Sequence, residues 1–229
     1  MTAGADPVGR AWELSFLAGL PPAAQQELLA SAHEEEIVPD QNVYRELLKP
    51  RFSYLALVVS GMLRSYITSP GDRRIAARYW SCGQVVGLTS VLLRGAPSGV
   101  EVVRRGSLLR LDPMVMERLG RTDTQVAWAI AQELARRLAE GAVNHVPQAF
   151  GSVRVRVAWH LMRLAVDIDE QLVVRATQQE LADSVGSVRE VVARALLGLC
   201  GEGILAREGT LLVVRDPARL EALASGLAD

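Results

Sequence analysis

The chain has 229 residues, 49% of them hydrophobic and 22% charged, with a formal net charge of −1 at pH 7. That length supports one large domain or two ordinary ones with separate cores, and the neutral balance means that any affinity for nucleic acid has to come from where cations are placed. No apolar run approaches the ~18 residues of a membrane span, and the N-terminus MTAGADPVGRAWELSF lacks the basic start, apolar stretch and cleavage site of a secretory signal. A cytoplasmic protein with no membrane partner is therefore expected. Its two cysteines, Cys82 and Cys200, read as reduced thiols and are too few for the ~four thiolates that usually hold an iron–sulfur cluster.

Residues 8–35 read as helical, with apolar positions at Trp12, Phe16, Leu17, Leu20, Leu28 and Leu29 around Pro21–Pro22. From about 36 to 112 the pattern changes to short β-type runs: 36–38, 54–60, 62–68, 74–80, 84–86, 99–103 and 107–111. Turn signals separate them, among them Pro39–Asp40, Gly61, Pro70–Gly71–Asp72, Gly83, Gly87 and Gly95–Ala96–Pro97. Many short strands at this spacing indicate a sandwich or barrel. Asp112–Pro113 opens a helix, aspartate as cap and proline at the first helical position. A second helix is predicted from about Asp123 to Asn144. Along it Ala127, Ala131, Leu134, Leu138, Gly141 and His145 alternate at spacings of four and three, a seam that needs a partner; a second copy of the chain and the chain's own β-domain are the two candidates. Pro147 and Gly151 then predict a hinge, after which Ser152 caps a helix over 153–166. Three regions are therefore expected: 1–122 with the β-type runs, 123–150 with the long helix and hinge, and 151–229 beyond it.

Residues 173–214 read as strand, helix, turn, helix and β-hairpin. Thr177-Gln178-Gln179-Glu180 has the capping-box pattern, in which the threonine oxygen takes the N3 amide and the glutamate reaches back. Gly186 allows a tight turn, and Ser187-Val188-Arg189-Glu190 repeats the capping pattern ahead of a helix ending at Leu199. Two runs flanking Glu208–Gly209 form a hairpin signal, the wing of a winged helix-turn-helix. Such a motif lays its second helix in the major groove. Arginine there can donate two hydrogen bonds to guanine O6 and N7, and glutamate can accept from cytosine N4. The candidate DNA-binding residues are therefore Thr177, Gln178, Ser187, Arg189, Glu190 and Arg194. Glu190 and Arg194 also stand four apart, a spacing that allows an intrahelical ion pair on a solvated face.

The segment TQQELADSVGSVREVVARALLGLCGEGIL resembles the helix-turn-helix of the Crp–Fnr family of transcription regulators. Upstream, ELARRLAEGAVNHVPQAFGSVRVRVAWHLMRLA is similar to that family's dimer helix, hinge and following helix. VVSGMLRSYI and YWSCGQVVGL are similar to the glycine-punctuated strands of its cyclic-nucleotide-binding β-roll. The resemblance implies an α+β fold: an N-terminal double-stranded β-helix, a long dimerisation helix and a C-terminal winged helix-turn-helix. It also implies a homodimer with its seam at Ala127, Ala131, Leu134 and Leu138, RNA polymerase as a partner, and a palindromic operator with TGTGA-type half-sites bound through Arg189, Glu190 and Arg194.

Matched onto the family's nucleotide cassette, VVGLTSVLLRGAPSGVEVV places Leu88 where the ribose-binding glutamate is expected and Ser98–Gly99 at the phosphate-binding Arg-Ser pair. Gly141 and Ala142 fall on the hydroxyl positions of the helix. An effector pocket would then be lined by Val86, Gly87, Leu88, Ser90, Arg94, Ser98, Leu138, Gly141 and Ala142. A buried phosphate needs a charge-assisted partner and leucine accepts no hydrogen bond, so control by cyclic AMP is not expected, and a different effector or none is. Haem would need an axial ligand such as His145 or Cys82, but His33, His145 and His160 share no ligand spacing. The alternative from another class is a small-molecule or haem-binding sensor module whose winged domain contacts protein. No catalytic constellation is present: no paired carboxylates with a base, no Ser-His-Asp order, and no metal-ligand cluster.

Overall fold

The computed structural model describes residues 6–44, 54–68, 74–96, 98–168 and 171–225. The chain divides into two compact units, Met1–Ile67 with Ala77–Leu138 and Thr68–Ala76 with Ala139–Asp229.

The first unit begins with α1 (Pro7–Leu14), a 3-10 turn (Phe16–Gly19) and α2 (Pro22–Ala30). Asp6 caps α1 by accepting from the Val8 amide, and Pro7 occupies the first helical position. Among the described residues eight strands follow: β1 (His33–Ile37), β2 (Asn42–Tyr44), β3 (Ala56–Val58), β4 (Met62–Thr68), β5 (Arg74–Trp80), β6 (Val85–Val86), β7 (Gly99–Arg104) and β8 (Gly106–Arg110). They form two four-stranded sheets, ordered β1-β8-β3-β6 and β2-β7-β4-β5, and every register determined is antiparallel.

In the first sheet β3 and β6 are buried throughout, whereas β1 leaves His33, Glu34 and Glu36 exposed, and the buried side chains divide by the period-2 pattern of strands. Leu55, Leu57, Val59, Val85, Leu109 and Leu111 turn to one core, where they meet Ala11, Trp12, Leu17, Leu28, Met116, Val126 and Ile130 from the helices. Their neighbours Ala56, Val58, Val86 and Leu108 turn to the other, packing with Leu63, Trp80, Val100 and Val102. A short helix, α3 (Leu88–Leu93), follows β6; its N-cap Gly87 has φ +93°. A side chain there is excluded, because a Cβ would stand 1.9 Å from the Tyr54 carbonyl oxygen.

Helix α4 (Pro113–Thr122) starts as the sequence predicts, with Asp112 accepting from the Met114 amide. The long helix, α5, spans Thr124–Phe150, longer than predicted because the chain stays helical through Pro147. A proline removes one donor and crowds one turn, which weakens a helix without always ending it. The helix ends only where Gly151 and Ser152 follow, Ser152 Oγ accepting from the Val155 amide at 3.3 Å to start α6 (Val153–Leu164).

In the first unit the buried stripe of α5 is Val126, Ile130 and Glu133, continued by Arg137, whose side chain is 10% exposed. Arg137 Nε donates to Glu133 at 2.6 Å, Nη2 donates to the Val85 carbonyl at 2.8 Å, and its guanidinium lies 5.1 Å from the Trp80 ring centroid. Of the expected seam positions in this unit, Ala127, Ala131 and Leu138 are exposed, while Leu134 is half-buried against the core. Trp128, 66% exposed, lies beside them.

The second unit continues with β9 (Val166–Ile168), β10 (Gln171–Val174), α7 (Gln178–Val185), α8 (Arg189–Gly201), β11 (Leu205–Glu208), β12 (Leu211–Val214) and α9 (Pro217–Ala224). Its antiparallel sheet has the order β11-β12-β10-β9. Glu208 pairs with Leu211, so the hairpin loop is Gly209–Thr210, one residue later than the sequence signal placed it. Leu161, Leu181, Val192, Leu196, Leu199, Val214 and Leu220 build a core from every helix of this unit described after residue 151.

Glu133 and Arg137 give a first prediction. Glu133→Ala leaves a buried guanidinium without its carboxylate and should destabilise the first unit by about 3 kcal/mol, with Glu133→Gln milder. Denaturant unfolding followed by tryptophan fluorescence measures both.

Candidate nucleic-acid interface

The helix-turn-helix is held by caps at both ends of α7. Thr177 Oγ1 accepts from the Glu180 amide at 3.1 Å, and Glu180 Oε2 accepts from the Thr177 amide at 2.6 Å. The predicted capping box is therefore complete. At the other end Gly186 takes φ +64°, with its amide donating to the Asp183 carbonyl at 3.3 Å and the Ser187 amide donating to the Ala182 carbonyl at 2.9 Å. These two bonds are the Schellman pattern, which satisfies the last carbonyls of a helix and reverses the chain.

The second predicted capping box is not formed. The N-cap of α8 is Val188 rather than Ser187, with no side-chain cap bond, and the helix begins at Arg189. Ser187 is drawn instead into the preceding Schellman turn, which fixes its backbone in the wrong place to cap α8.

Helix α8 buries Val192, Leu196 and Leu199 and leaves Arg189, Glu190 and Arg194 exposed. Arg189 Nε donates to Gln178 Oε1 at 3.4 Å, which ties the front of α8 to the front of α7. Glu190 and Arg194 form no ion pair among the described residues, so both remain available to an outside partner. At the far end Arg154 grips Glu202, just past α8, at 2.5 and 2.6 Å. Those bonds hold the Glu202 carboxyl below the usual carboxylate range.

A groove of about 840 Å³ lies between the front of α7 and the hairpin, lined by Arg175, Thr177, Gln178, Arg189, Arg207 and Thr210 among others. Arg175 and Arg207 are exposed and were not among the residues read from the sequence. Their signal was positional, one arginine two residues before the capping threonine and one inside the hairpin run. With Arg189 they give the groove three guanidiniums, which favour an anionic partner.

In the first unit Ser90 and Arg94, at two of the expected nucleotide-contact positions, are bonded within the chain. Val86 and Leu88 are fully buried. Ser90 Oγ accepts from the Tyr54 amide at 2.8 Å and has the Tyr54 and Gly87 carbonyls at 2.9 and 2.8 Å. Arg94 donates to Glu117 of α4 at 2.6 Å, and this bond with that from Arg121 lowers the Glu117 carboxyl below its ordinary value. Ser98 is half-buried. In the second unit Gly141 is half-buried, whereas the side chains of Ala142 and His145 lie outside the described residues.

Inside the first unit a polar group missed by the sequence reading centres on Trp80. Arg78 lies 4.7 Å from its ring, Arg137 5.1 Å, and the indole Nε1 donates to Ser65 Oγ at 3.3 Å. Burial pushes the nearby Tyr44 hydroxyl up to about 12, with the Arg137 charge opposing it.

A capped helix, a Schellman turn, a second helix with exposed charges and a basic hairpin groove define a winged helix-turn-helix DNA-binding protein. Residues 155–223 match the Crp-like helix-turn-helix domain model. The chain is 34% identical over 175 residues to the cyclic AMP receptor protein of Thermus thermophilus, covering 76% of this chain and 81% of that protein. It belongs to the Crp–Fnr family of transcription regulators. Its fold is similar to a structure described as a Crp/Fnr-family transcriptional regulator from Eubacterium rectale, with TM-score 0.75, 21% identity, and coverage of 90% and 96% of the two chains. It is also similar to one described as a cyclic-nucleotide-binding protein from Ruegeria pomeroyi, with TM-score 0.63, 20% identity and coverage of 98% and 99%. The fold class is thus the expected α+β one, an N-terminal cyclic-nucleotide-binding-like β-roll, a long helix and a winged helix-turn-helix. Among the described residues no helix is long and apolar enough to cross a membrane.

The caps predict different costs at two similar residues. Thr177→Ala should destabilise the second unit by about 1 kcal/mol, and Ser187→Ala by clearly less, since its hydroxyl caps nothing. Thermal unfolding of the two variants side by side checks this.

Proposed function

We propose that the protein is a homodimeric regulator that reads a palindromic operator through Arg189, Glu190 and Arg194. The observation that carries this reading is the exposed front of α8, held in place by the caps of α7. Arg189 and Arg194 offer the paired donors that guanine O6 and N7 accept, and Glu190 offers an acceptor for cytosine N4. Arg175 and Arg207, with Thr177, Gln178 and Ser187, supply backbone contacts that fix position without reading sequence.

The dimer would form through α5. Ala127, Ala131 and Leu138, with Trp128, leave an apolar stripe on a helix whose other stripe is already used by the chain's own core. The alanines permit close approach of a second backbone, and Leu134 borders the seam from its half-buried position. A twofold axis through this seam makes the operator palindromic, with half-sites about 10 bp apart. Acting in the cytoplasm, such a dimer would have double-stranded DNA and RNA polymerase as its partners.

The sensor lacks the usual cyclic-AMP contacts in this reading. Leu88 supplies no acceptor for a ribose hydroxyl, Ser98 and Gly99 supply no cation for a phosphate, and Ser90 and Arg94 are engaged with the protein itself. An effector of different chemistry, or none, fits these residues better.

Selection of bound sequences from a random pool is expected to return a palindrome; a pool with no preferred palindrome contradicts the reading. Arg189→Ala should cost about 1–3 kcal/mol of specific binding. Arg175→Ala and Arg207→Ala should weaken all sequences alike, each lowering the log–log salt slope by about 0.9. Leu138→Glu should give a monomer by light scattering and lose operator binding while keeping its fold.

A further inference from the structure

The exposed residues of α8 beyond Arg194 are Leu197 and Gly201, neither of which brings a polar side chain to the surface. Leu197 is 70% exposed, the most exposed of the large hydrophobic side chains described in the second unit, where Val188 and Ile168 follow at 44% and 42%. Its neighbours Leu196 and Leu199 serve the domain core, and Leu197 takes no part in it. Helical geometry puts it elsewhere: Glu190, Arg194 and Leu197 stand at spacings of four and three, which is one row on a helix surface. The row offers an acceptor, a double donor and then an apolar side chain.

The major groove presents one apolar feature, the C5 methyl of thymine. Leu197 lies eight residues beyond Arg189, about 12 Å along the axis, comparable with the ~12 Å width of the groove. A helix entering by its front end would carry Leu197 toward the opposite wall, past the base pairs met by Glu190 and Arg194. We propose that Leu197 is a specificity-determining residue that packs on the C5 methyl of a thymine adjoining the base pairs read by Glu190 and Arg194. This rests on the DNA-reading role of α8.

The test uses the full-length protein and the best site returned by selection. Each thymine is replaced singly by deoxyuridine, which removes the methyl and keeps the pairing, and binding is measured by fluorescence anisotropy at fixed salt. Loss of one buried methyl should weaken the wild-type protein about threefold to fivefold at one thymine per half-site. Leu197→Ala should bind the thymine site that much more weakly and show no further loss with deoxyuridine at that position. Tolerance of deoxyuridine everywhere by the wild type overturns the proposal, as does a deoxyuridine penalty that persists undiminished in Leu197→Ala. Both results leave a DNA-reading helix intact. A selection returning no preferred sequence instead removes the DNA reading, and the methyl contact with it.

Discussion

Everything the second unit presents outward depends on the reversal between α7 and α8. Isolated helices of eight and thirteen residues are marginal in water, so their angle has to be fixed by caps and core together. Thr177 and Glu180 satisfy the first amides of α7, Gly186 and Ser187 satisfy its last carbonyls, and Leu181, Val185, Val192 and Leu196 meet beneath the turn. With those faces committed, the front of α8 has no remaining choice of direction, and Arg189, Glu190 and Arg194 are left to solvent. Rigidity also lowers the entropic cost of meeting a partner. Locally, Arg189 Nε lies 3.4 Å from Gln178 Oε1 of α7.

The first unit solves a different problem. Its interior carries a polar group around Trp80, Tyr44 and Arg137. Glu133 and Arg137 belong at once to α5 and to this interior, so the long helix is gripped by an ion pair, a backbone carbonyl and an indole face. Desolvation works against such a buried cation and lowers its proton affinity, with Glu133 opposing the shift. Ser90 and Arg94 are likewise bonded within the unit, to Tyr54 and Gly87 and to Glu117.

Most strands were legible in the sequence because alternating apolar residues and turn glycines mark them, as at 62–68 and 74–80. The capping box of α7 was legible because its two bonds are local. The second box failed because Ser187 had a stronger local competitor in the Schellman turn of Gly186, which pattern matching ignores. The core-facing stripe of α5 was hidden by its charges: a periodic apolar search passes over Glu133 and Arg137, and so found the exposed row at 127, 131 and 138 instead. The three-residue β2 and six-residue α3 lacked the length to register as periods, whereas α9 carries in Asp216–Pro217 the same start signal as α4. Arg175 and Arg207 could not be chosen from among 24 arginines, because only the folded hairpin brings them to one groove.

Methylation interference on the selected operator tests the central claim most directly. Dimethyl sulfate methylates guanine N7, the atom that a paired arginine contact requires. If α8 reads bases through Arg189 and Arg194, methylation of guanines at symmetry-related positions in the two half-sites should block binding. Arg189→Ala or Arg194→Ala should remove that interference at its own guanine. Binding indifferent to N7 methylation, or an interference pattern unchanged in both variants, would contradict the account.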